Sequence, residues 1–420
     1  MTARLPDDCF ALPPGVEWTP VDDALGRLRD GLQAVTDVEE IDLADAASRI
    51  LAAPAIAARA NPAHANAAVD GYAFAWDALG GGETGDLPLE PGRAAAGHPF
   101  AGSVPPGHAL RILTGSEMPA GTDTVVMQED ADVRTGRLRF TPPKGRGSNS
   151  RGQGEDTAQG ATVLTAGARI GAAEMARLTS VGVGRVQVRR PLRVGILSTG
   201  DELLQPGDDP SASGTFDANR PMLRAMFNDF GHSCVDLGAQ QDSAQIIRDA
   251  LNRAAETSDA IVTTGGASQG DEDHISRLLQ AEGQVTTWRI AVKPGRPLAL
   301  GFWNGVPVFG LPGNPVAAFV CALIFVRPAL AVLAGQDWQE PTAVTLPAAF
   351  QTTKKGGRRE YRRARLNENG HVEMFRSEGS GLISGLSWAD GLIELPEPAM
   401  DVSVGDPVRY LPYSGFGLRR

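Results

Sequence analysis

Cysteine is scarce. Cys9, Cys234 and Cys321 are the only three in 420 residues, they lie far apart, and none forms a C-x-x-C pair. That excludes a disulfide framework and a thiolate zinc site, and it fits a reducing cytoplasm. The six histidines show no metal-ligand spacing. Basic charge is short as well: 39 Lys and Arg stand against 50 Asp and Glu, for a formal net charge of -11. Such a chain lacks the broad basic face that a nucleic-acid partner demands, although a few local cations suffice for a small anion. The longest apolar run, residues 316–326, is too short to span a bilayer and is followed at once by Arg327 and Pro328. It reads as a buried helix. Residues 1–8 hold no apolar signal core, so the expectation is a cytoplasmic protein with no membrane segment. Tandem repeats and low-complexity tracts are absent too.

Glycine and proline, at 50 and 30 residues, are plentiful, with 42% hydrophobic and 21% charged residues. This is a globular composition with many turns and short elements, and the length prior of roughly 150 residues per domain suggests about three domains. Thr19-Pro20 reads as an N-cap followed by proline at the first helical position, with Val21, Leu25, Leu28 and Leu32 on one face. A second helix is expected over residues 42–53. Over residues 61–156, Gly and Pro interrupt short β-like runs every few positions, as in a small β domain or barrel. From Pro191 the character changes. Apolar strands near 192–197, 233–237, 260–263, 288–292, 298–302 and 306–310 alternate with helical stretches near 219–230, 242–257, 274–281 and 315–334. The fold class this implies is α/β with a mostly parallel, doubly wound sheet. Beyond about residue 336 the chain is β-like and turn-rich again.

Ligands of such sheets bind beyond the carboxyl ends of the strands. Four strand ends here lead into Ser198-Thr199-Gly200-Asp201-Glu202, Gly238-Ala239-Gln240-Gln241-Asp242, Thr264-Gly265-Gly266-Ala267-Ser268-Gln269-Gly270-Asp271-Glu272-Asp273 and Gly310-Leu311-Pro312-Gly313-Asn314-Pro315. Parallel strands would bring all four to one edge. Paired glycines let backbone N–H groups approach an anion. Glu202, Asp242 and Asp273 supply the hard oxygen ligands that suit Mg²⁺ beside a phosphate ester. Capping is the plainer role for Asp242, Asp271 and Asp273, and turn-making the plainer one for the glycines. Arg289 and Lys293 are an even number of residues apart, which places them on one strand face with Arg296 close behind, a face able to hold an oxyanion. The basic run at 354–365 reads as a solvated β-hairpin face.

Together these segments resemble the MoeA/gephyrin E-domain family, the molybdopterin molybdenumtransferases. The Ser-Thr-Gly-Asp-Glu run ending at Glu202, the Gly-Gly-Ala-Ser-Gln-Gly-Asp-Glu-Asp loop, Val292-Lys293-Pro294-Gly295-Arg296-Pro297 and Gly310-Leu311-Pro312-Gly313-Asn314-Pro315 carry the resemblance. So do Val69-Asp70-Gly71-Tyr72-Ala73, Arg111-Ile112-Leu113-Thr114-Gly115, the run from Met118 to Val126, and Gly154-Glu155-Asp156. The motifs span nearly the whole chain in order.

The resemblance implies a discontinuous helical dimerisation domain (16–61 and 157–189), an inserted β domain (62–156), an α/β molybdopterin-binding domain (190–336) and a C-terminal β-barrel (337–420). It implies a homodimer whose site combines the α/β edge of one subunit with Asp70, Thr114 and Asp156 of the other. The implied reaction consumes adenylylated molybdopterin and molybdate with Mg²⁺ and releases AMP. Asp70, Asp156, Glu202, Asp242, Asp273 and Lys293 would be catalytic, with Glu202, Asp242 and Asp273 at the metal. Thr114, Ser198, Gly265, Gly266, Ser268, Arg289, Arg296, Pro312 and Pro315 would contact substrate. Other proteins of cofactor biosynthesis or molybdoenzyme maturation are further candidate partners. The departures are Val69 for Met, a less Arg-rich 148–154 segment, Gln269 for a small apolar residue, and Arg289 and Arg296 where Lys is common. A molybdopterin adenylyltransferase and a non-catalytic molybdopterin carrier or scaffold are the alternatives.

Overall fold

A computed structural model describes residues 18–209, 211–265, 274–295, 297–377, 379 and 381–418. Its centre is a six-stranded sheet: β1 (Arg193–Thr199), β2 (Ser233–Gln240), β3 (Ala260–Thr264), β4 (Gln284–Arg289), β5 (Pro297–Trp303) and β6 (Val306–Leu311). The order is β2-β1-β3-β6-β5-β4. Four helices accompany it: α1 (Asn219–Asp229), α2 (Ala244–Thr257), α3 (His274–Glu282) and α4 (Pro315–Leu333), the last broken by a π turn.

Period-2 alternation explains the two-sided burial. Val194, Ile196 and Val262 point to one face, where α1 and α4 pack through Leu223, Phe227 and Leu330. Leu197 and Ile261 point to the other, against Ile247 and Leu251 of α2 and Ile275 and Leu279 of α3. β2, β1, β3 and β6 are mutually parallel. The expected parallel sheet stops there: β5 runs antiparallel to β6, and β4 antiparallel to β5. The cause is local. Asn304 and Gly305 both have positive φ, at 50° and 80°, which is the two-residue turn whose twist suits a hairpin.

The apolar run at 316–326 lies within α4 and is buried throughout. By length and composition Pro315–Leu333 could cross a membrane, but 94% of its most apolar window is buried inside the protein. Asn314 caps this helix, its Oδ1 accepting from the Val316 N–H at 3.1 Å. The π turn at Ala322–Val326 falls just before Pro328, which has no N–H to give the carbonyl four residues back.

Two helix readings need correction. The N-cap of the helix Val21–Gly31 is Pro20 itself, with no side-chain cap. Residues 42–53 form not a helix but a 3-10 turn, Leu43–Asp45, followed by the strand Ile50–Leu51. Ser48 takes a φ of 66°, which ends any helical path, and Ile50 and Leu51 pair with Arg189 and Val188. The strand Arg185–Arg189 also pairs with Val38–Asp42, and Thr162–Leu164 pairs with Ala55–Ile56. One core joins Leu43, Leu51 and Ala57 to Val163, Leu178 and Val188. Stretches on both sides of the 62–156 insert thus build one unit, mostly of strands with the single helix Ala172–Ser180. The helix Val21–Gly31 instead packs through Ala24 and Leu28 into the core of the α/β unit.

The insert carries a six-stranded sheet that includes Gly71–Phe74, Ala109–Ile112 and Thr124–Met127. The C-terminal stretch forms a sheet around Arg359–Leu366, Gly391–Leu395 and Pro407–Pro412, and one of its two edge strands is Val292–Lys293. The basic run is solvated only in part: Lys355 and Arg365 are exposed, but other cations of the run are buried. Lys354 is 1% exposed, its Nζ donating to the carbonyls of Lys355, Glu397 and Pro398. Arg363 is buried and donates to the carbonyls of Ser377, Gly379 and Leu382. Arg359 pairs with Asp22, Glu394 and Glu397. These buried cations hold loops together.

Candidate functional site

The parallel register brings the strand ends together. Ser198 lies opposite Thr264, Thr264 opposite Leu311, and Thr199 opposite Gln240. Above them is a pocket of about 130 Å³ lined by Thr199, Glu202, Asp217, Asn219, Gly265 and Pro315, among others. Gly265 has a φ of 83°, and a Cβ there would sit 2.5 Å from the Thr199 carbonyl oxygen, so only glycine lets this loop cross the end of β1. Gly265→Ala is expected to cost about 1–3 kcal/mol, read as a lower melting midpoint; an unchanged midpoint would contradict this account of the loop.

The helix start of α1 forms one wall. Asp217, 3% exposed, accepts from the N–H groups of Asn219 and Arg220 and from Arg220 Nε. Asn219 Nδ2 donates to the Gly313 carbonyl at 2.7 Å, which ties α1 to the loop after β6. Asn219 Oδ1 and Thr199 Oγ1 are both buried and, among the described residues, have no hydrogen-bond partner. Buried polar atoms are rarely left so, and both belong to the pocket lining. Sequence reasoning passed over Thr199, Asp217 and Asn219. An Asp two residues before an Asn at a helix start was the available signal.

Glu202 lines the pocket. Asp242 lies close by, and its backbone N–H donates to Asp201 Oδ1 at 2.9 Å. Partial burial pushes the Asp242 carboxyl above its ordinary range, and the negative charges of Asp201 and Glu202 add to the rise. Asp242 does not cap α2, whose N-cap is Ser243 with no side-chain cap bond. Hard carboxylate oxygens crowded at the cost of a raised pKa are a donor set that fits a divalent cation. No group of three or more candidate ligands forms among the described residues. Asp273, Gly266, Ser268 and Arg296 lie outside the described residues, as does Gln269.

The remaining candidates are distributed as follows. Ser198 is fully buried beneath the pocket, its hydroxyl 3.2 Å from Thr264 Oγ1. Pro315 lines the pocket. Pro312 lies on the loop after β6, on the side of Gly295: a Cβ there would come within 3.6 Å of its ring. Arg289 and Lys293 do not share a strand. β4 ends at Arg289, and Val292–Lys293 pairs with Arg359 and Glu360 of the C-terminal sheet. Lys293 Nζ lies 3.4 Å from Glu360 Oε1.

Asp70 and Thr114 meet on the insert. Asp70 Oδ1 accepts from both the Thr114 N–H and its hydroxyl at 2.7 Å, and these bonds hold the carboxyl below its ordinary range. Asp156 Oδ2 accepts from Asn61 Nδ2 and Thr157 Oγ1. It borders a cleft of about 560 Å³ with Arg59, Arg151 and Asn66, whose Oδ1 is buried without a partner among the described residues. Among the described residues no hydrogen bond or ion pair joins these insert residues to Glu202 or Asp242.

Three family models match the chain in order. The MoeA N-terminal region (domains I and II) covers residues 19–182, a probable molybdopterin binding domain covers 195–332, and the MoeA C-terminal region (domain IV) covers 345–413. A molybdopterin molybdenumtransferase from Haemophilus influenzae is 34% identical over 400 residues, covering 94% of this chain and 98% of its own. One from a Nostoc species is 31% identical, with 90% of each chain covered. The crystal structure of a molybdopterin biosynthesis MoeA protein from Pyrococcus horikoshii superposes with a TM-score of 0.82 at 26% identity, covering 94% of this chain and all of that one. Identity at this level along nearly the full length, with the family's domains in order, means that the chain belongs to the MoeA family.

Proposed function

We propose that this protein inserts molybdenum from molybdate into adenylylated molybdopterin and releases AMP, as a cytoplasmic enzyme of molybdenum cofactor biosynthesis. The observation that carries this reading is the strand-end pocket, where glycine backbone, Glu202 and two buried polar atoms without partners among the described residues converge, with the raised Asp242 carboxyl close enough to feel the charge of Glu202. Relatives named molybdopterin molybdenumtransferase support it. The chemistry asks little of protein nucleophiles. The substrate's own dithiolene sulfurs take up the metal, molybdate oxygens leave as water, and water cleaves the phosphoanhydride. Burial accordingly keeps the two described thiols protonated: Cys234 is pushed up to about 11 and Cys321 to about 12.

Residue roles follow from position. Gly265 presents backbone to the phosphate. Thr199 and Asn219 offer their unpartnered oxygens to the substrate, and Pro315 shapes the wall. Glu202 and Asp242, with Asp273, would hold Mg²⁺, which when bound neutralises phosphate charge. The carboxylates also orient water. Lys293, on the strand that joins the C-terminal sheet, would face anionic substrate, and Arg289 and Arg296 are proposed for the same role.

Asp70, Thr114 and Asp156 complete the site across a homodimer. A C2 dimer makes this testable by subunit mixing. Asp70→Asn and Asp242→Asn homodimers should each be inactive, yet after exchange they should recover about a quarter of wild-type activity, because half the dimers are mixed and each has one intact site. No recovery after verified exchange would place both residues in one chain's site. The function itself is tested by substrate requirement. AMP release should need adenylylated molybdopterin and molybdate together. A requirement for ATP would indicate an adenylyltransferase, and binding without turnover a carrier.

A further inference from the structure

A second cavity, of about 310 Å³, shares no residue with the strand-end pocket. It opens where three parts of the chain meet. Ser48 and Arg169 come from the discontinuous unit, His232 and Arg327 from the α/β unit, and Gln339 and Phe416 from the C-terminal stretch.

Two features mark it as built for a ligand. First, His232 lines the cavity at 8% exposure, and among the described residues its ring makes no hydrogen bond. Burial pushes its pKa down to about 4, and the charge of Arg169 acts in the same direction. A ring neutral at pH 7 presents one N–H donor and one bare nitrogen acceptor, whichever tautomer it takes. Second, Arg327 is fixed but not saturated. Its guanidinium lies 6.0 Å from the Phe230 ring centre and 5.7 Å from that of Phe416. Three of its N–H groups are used, donating to the Phe416 carbonyl and to the Gln339 carbonyl and Oε1. A guanidinium has five such donors.

Arg169 enters the same space. Its Nη1 donates to the Phe230 carbonyl at 2.9 Å, and a Cβ on Gly231 would lie 2.4 Å from its Nη2. Glycine at 231 therefore keeps room for this head group. Asp229 also lines the cavity. Two guanidiniums against one carboxylate leave a local excess of positive charge.

We propose that this junction cavity binds a small protonated oxyanion, of the hydrogen phosphate or phosphomonoester class, with Arg327 and Arg169 facing its charge and His232 hydrogen-bonded to it. The ring can donate its N–H to any oxyanion, whereas only a protonated one such as hydrogen phosphate can also give an O–H to the bare nitrogen, a bond sulfate cannot make. The bound anion would touch all three units and so stabilise their arrangement by mass action. The inference is independent of the reaction proposed above.

The test is a titration of the intact protein with inorganic phosphate, following the ring ¹H–¹⁵N signals of His232, identified by their loss in His232→Gln. Saturable movement with a dissociation constant on the order of 1 mM is expected. Sulfate should bind at least about threefold more weakly, and Arg327→Gln should weaken phosphate at least about tenfold. Arg169→Gln, altered on a different unit, gives the same reading if Arg327→Gln fails to fold. No saturable movement, or movement unchanged in the folded variants, overturns the site. Equal affinity for sulfate overturns the protonated-oxyanion class.

Discussion

Asp242→Asn is expected to slow molybdate-dependent AMP release by about 100- to 1000-fold, the usual loss when one preorganised charge is removed from a reacting centre. The fold should not suffer. Asn has the same shape, and the backbone N–H of residue 242 still donates to Asp201 Oδ1. The native carboxyl is raised by partial burial and by Asp201 and Glu202, so its charge works against the folded state at neutral pH. Removing it should leave the melting midpoint unchanged or slightly higher. Lost activity with undiminished stability marks a residue kept for function. A rate within about threefold of wild type, well under the expected loss, would remove Asp242 from the site; a lowered midpoint would make its role structural.

Asp259→Ala is expected to destabilise the α/β unit by roughly 3 kcal/mol, the lower end of the range for breaking a buried ion pair because its arginine partners reach solvent. Asp259 precedes β3 with its side chain 3% exposed. Arg190 donates to both of its oxygens at 2.9 and 3.0 Å, and Arg193 adds its backbone N–H at 2.8 Å and its guanidinium at 3.0 Å. These bonds tie the segment entering β1 to the neighbouring strand. Without the carboxylate Arg193 loses this partner and Arg190 keeps only the more distant Asp37, at 3.8 Å. For a domain of this size the loss corresponds to a fall of about 10 °C in the melting midpoint. Burial alone would push the carboxyl up, but the bonds from Arg190 and Arg193 win and hold it below its ordinary range. Its contribution is therefore complete above the unfolded value of about 3.9 and disappears as pH falls through the lower folded value. Wild type and variant should converge in strong acid. A constant gap across that range would show that the loss is not electrostatic.

What the sequence revealed depended on whether the signal was local. The strand-end loops were legible because β1, β2, β3 and β6 read as apolar runs ending in Gly-, Asp- and Glu-rich turns, and all four prove parallel. Asn304-Gly305 carried an equally local signal that went unused, so the antiparallel β5 was missed. Residues 42–53 had a helix-like composition, but pairing with Arg185–Arg189 overrode it. Burial of the cations in the 354–365 run could not be seen, because their partners lie up to 337 residues away, as Arg359 and Asp22 do. The Asp70–Thr114 contact spans 44 residues and depends on antiparallel pairing of Gly71–Phe74 with Ala109–Ile112. Arg289 and Lys293 were placed on one strand by counting alone, whereas Val292–Lys293 leaves the central sheet for the C-terminal one.

The central claim is that the strand-end pocket couples loss of AMP to uptake of molybdenum. Its most direct test is a single incubation of the protein with adenylylated molybdopterin, Mg²⁺ and molybdate, measuring AMP and pterin-bound molybdenum together over time. The account predicts that both appear at one rate and in equal amounts, and that neither appears without molybdate. AMP released at full rate without molybdate, or molybdenum bound to the pterin while the adenylate stays intact, would contradict it.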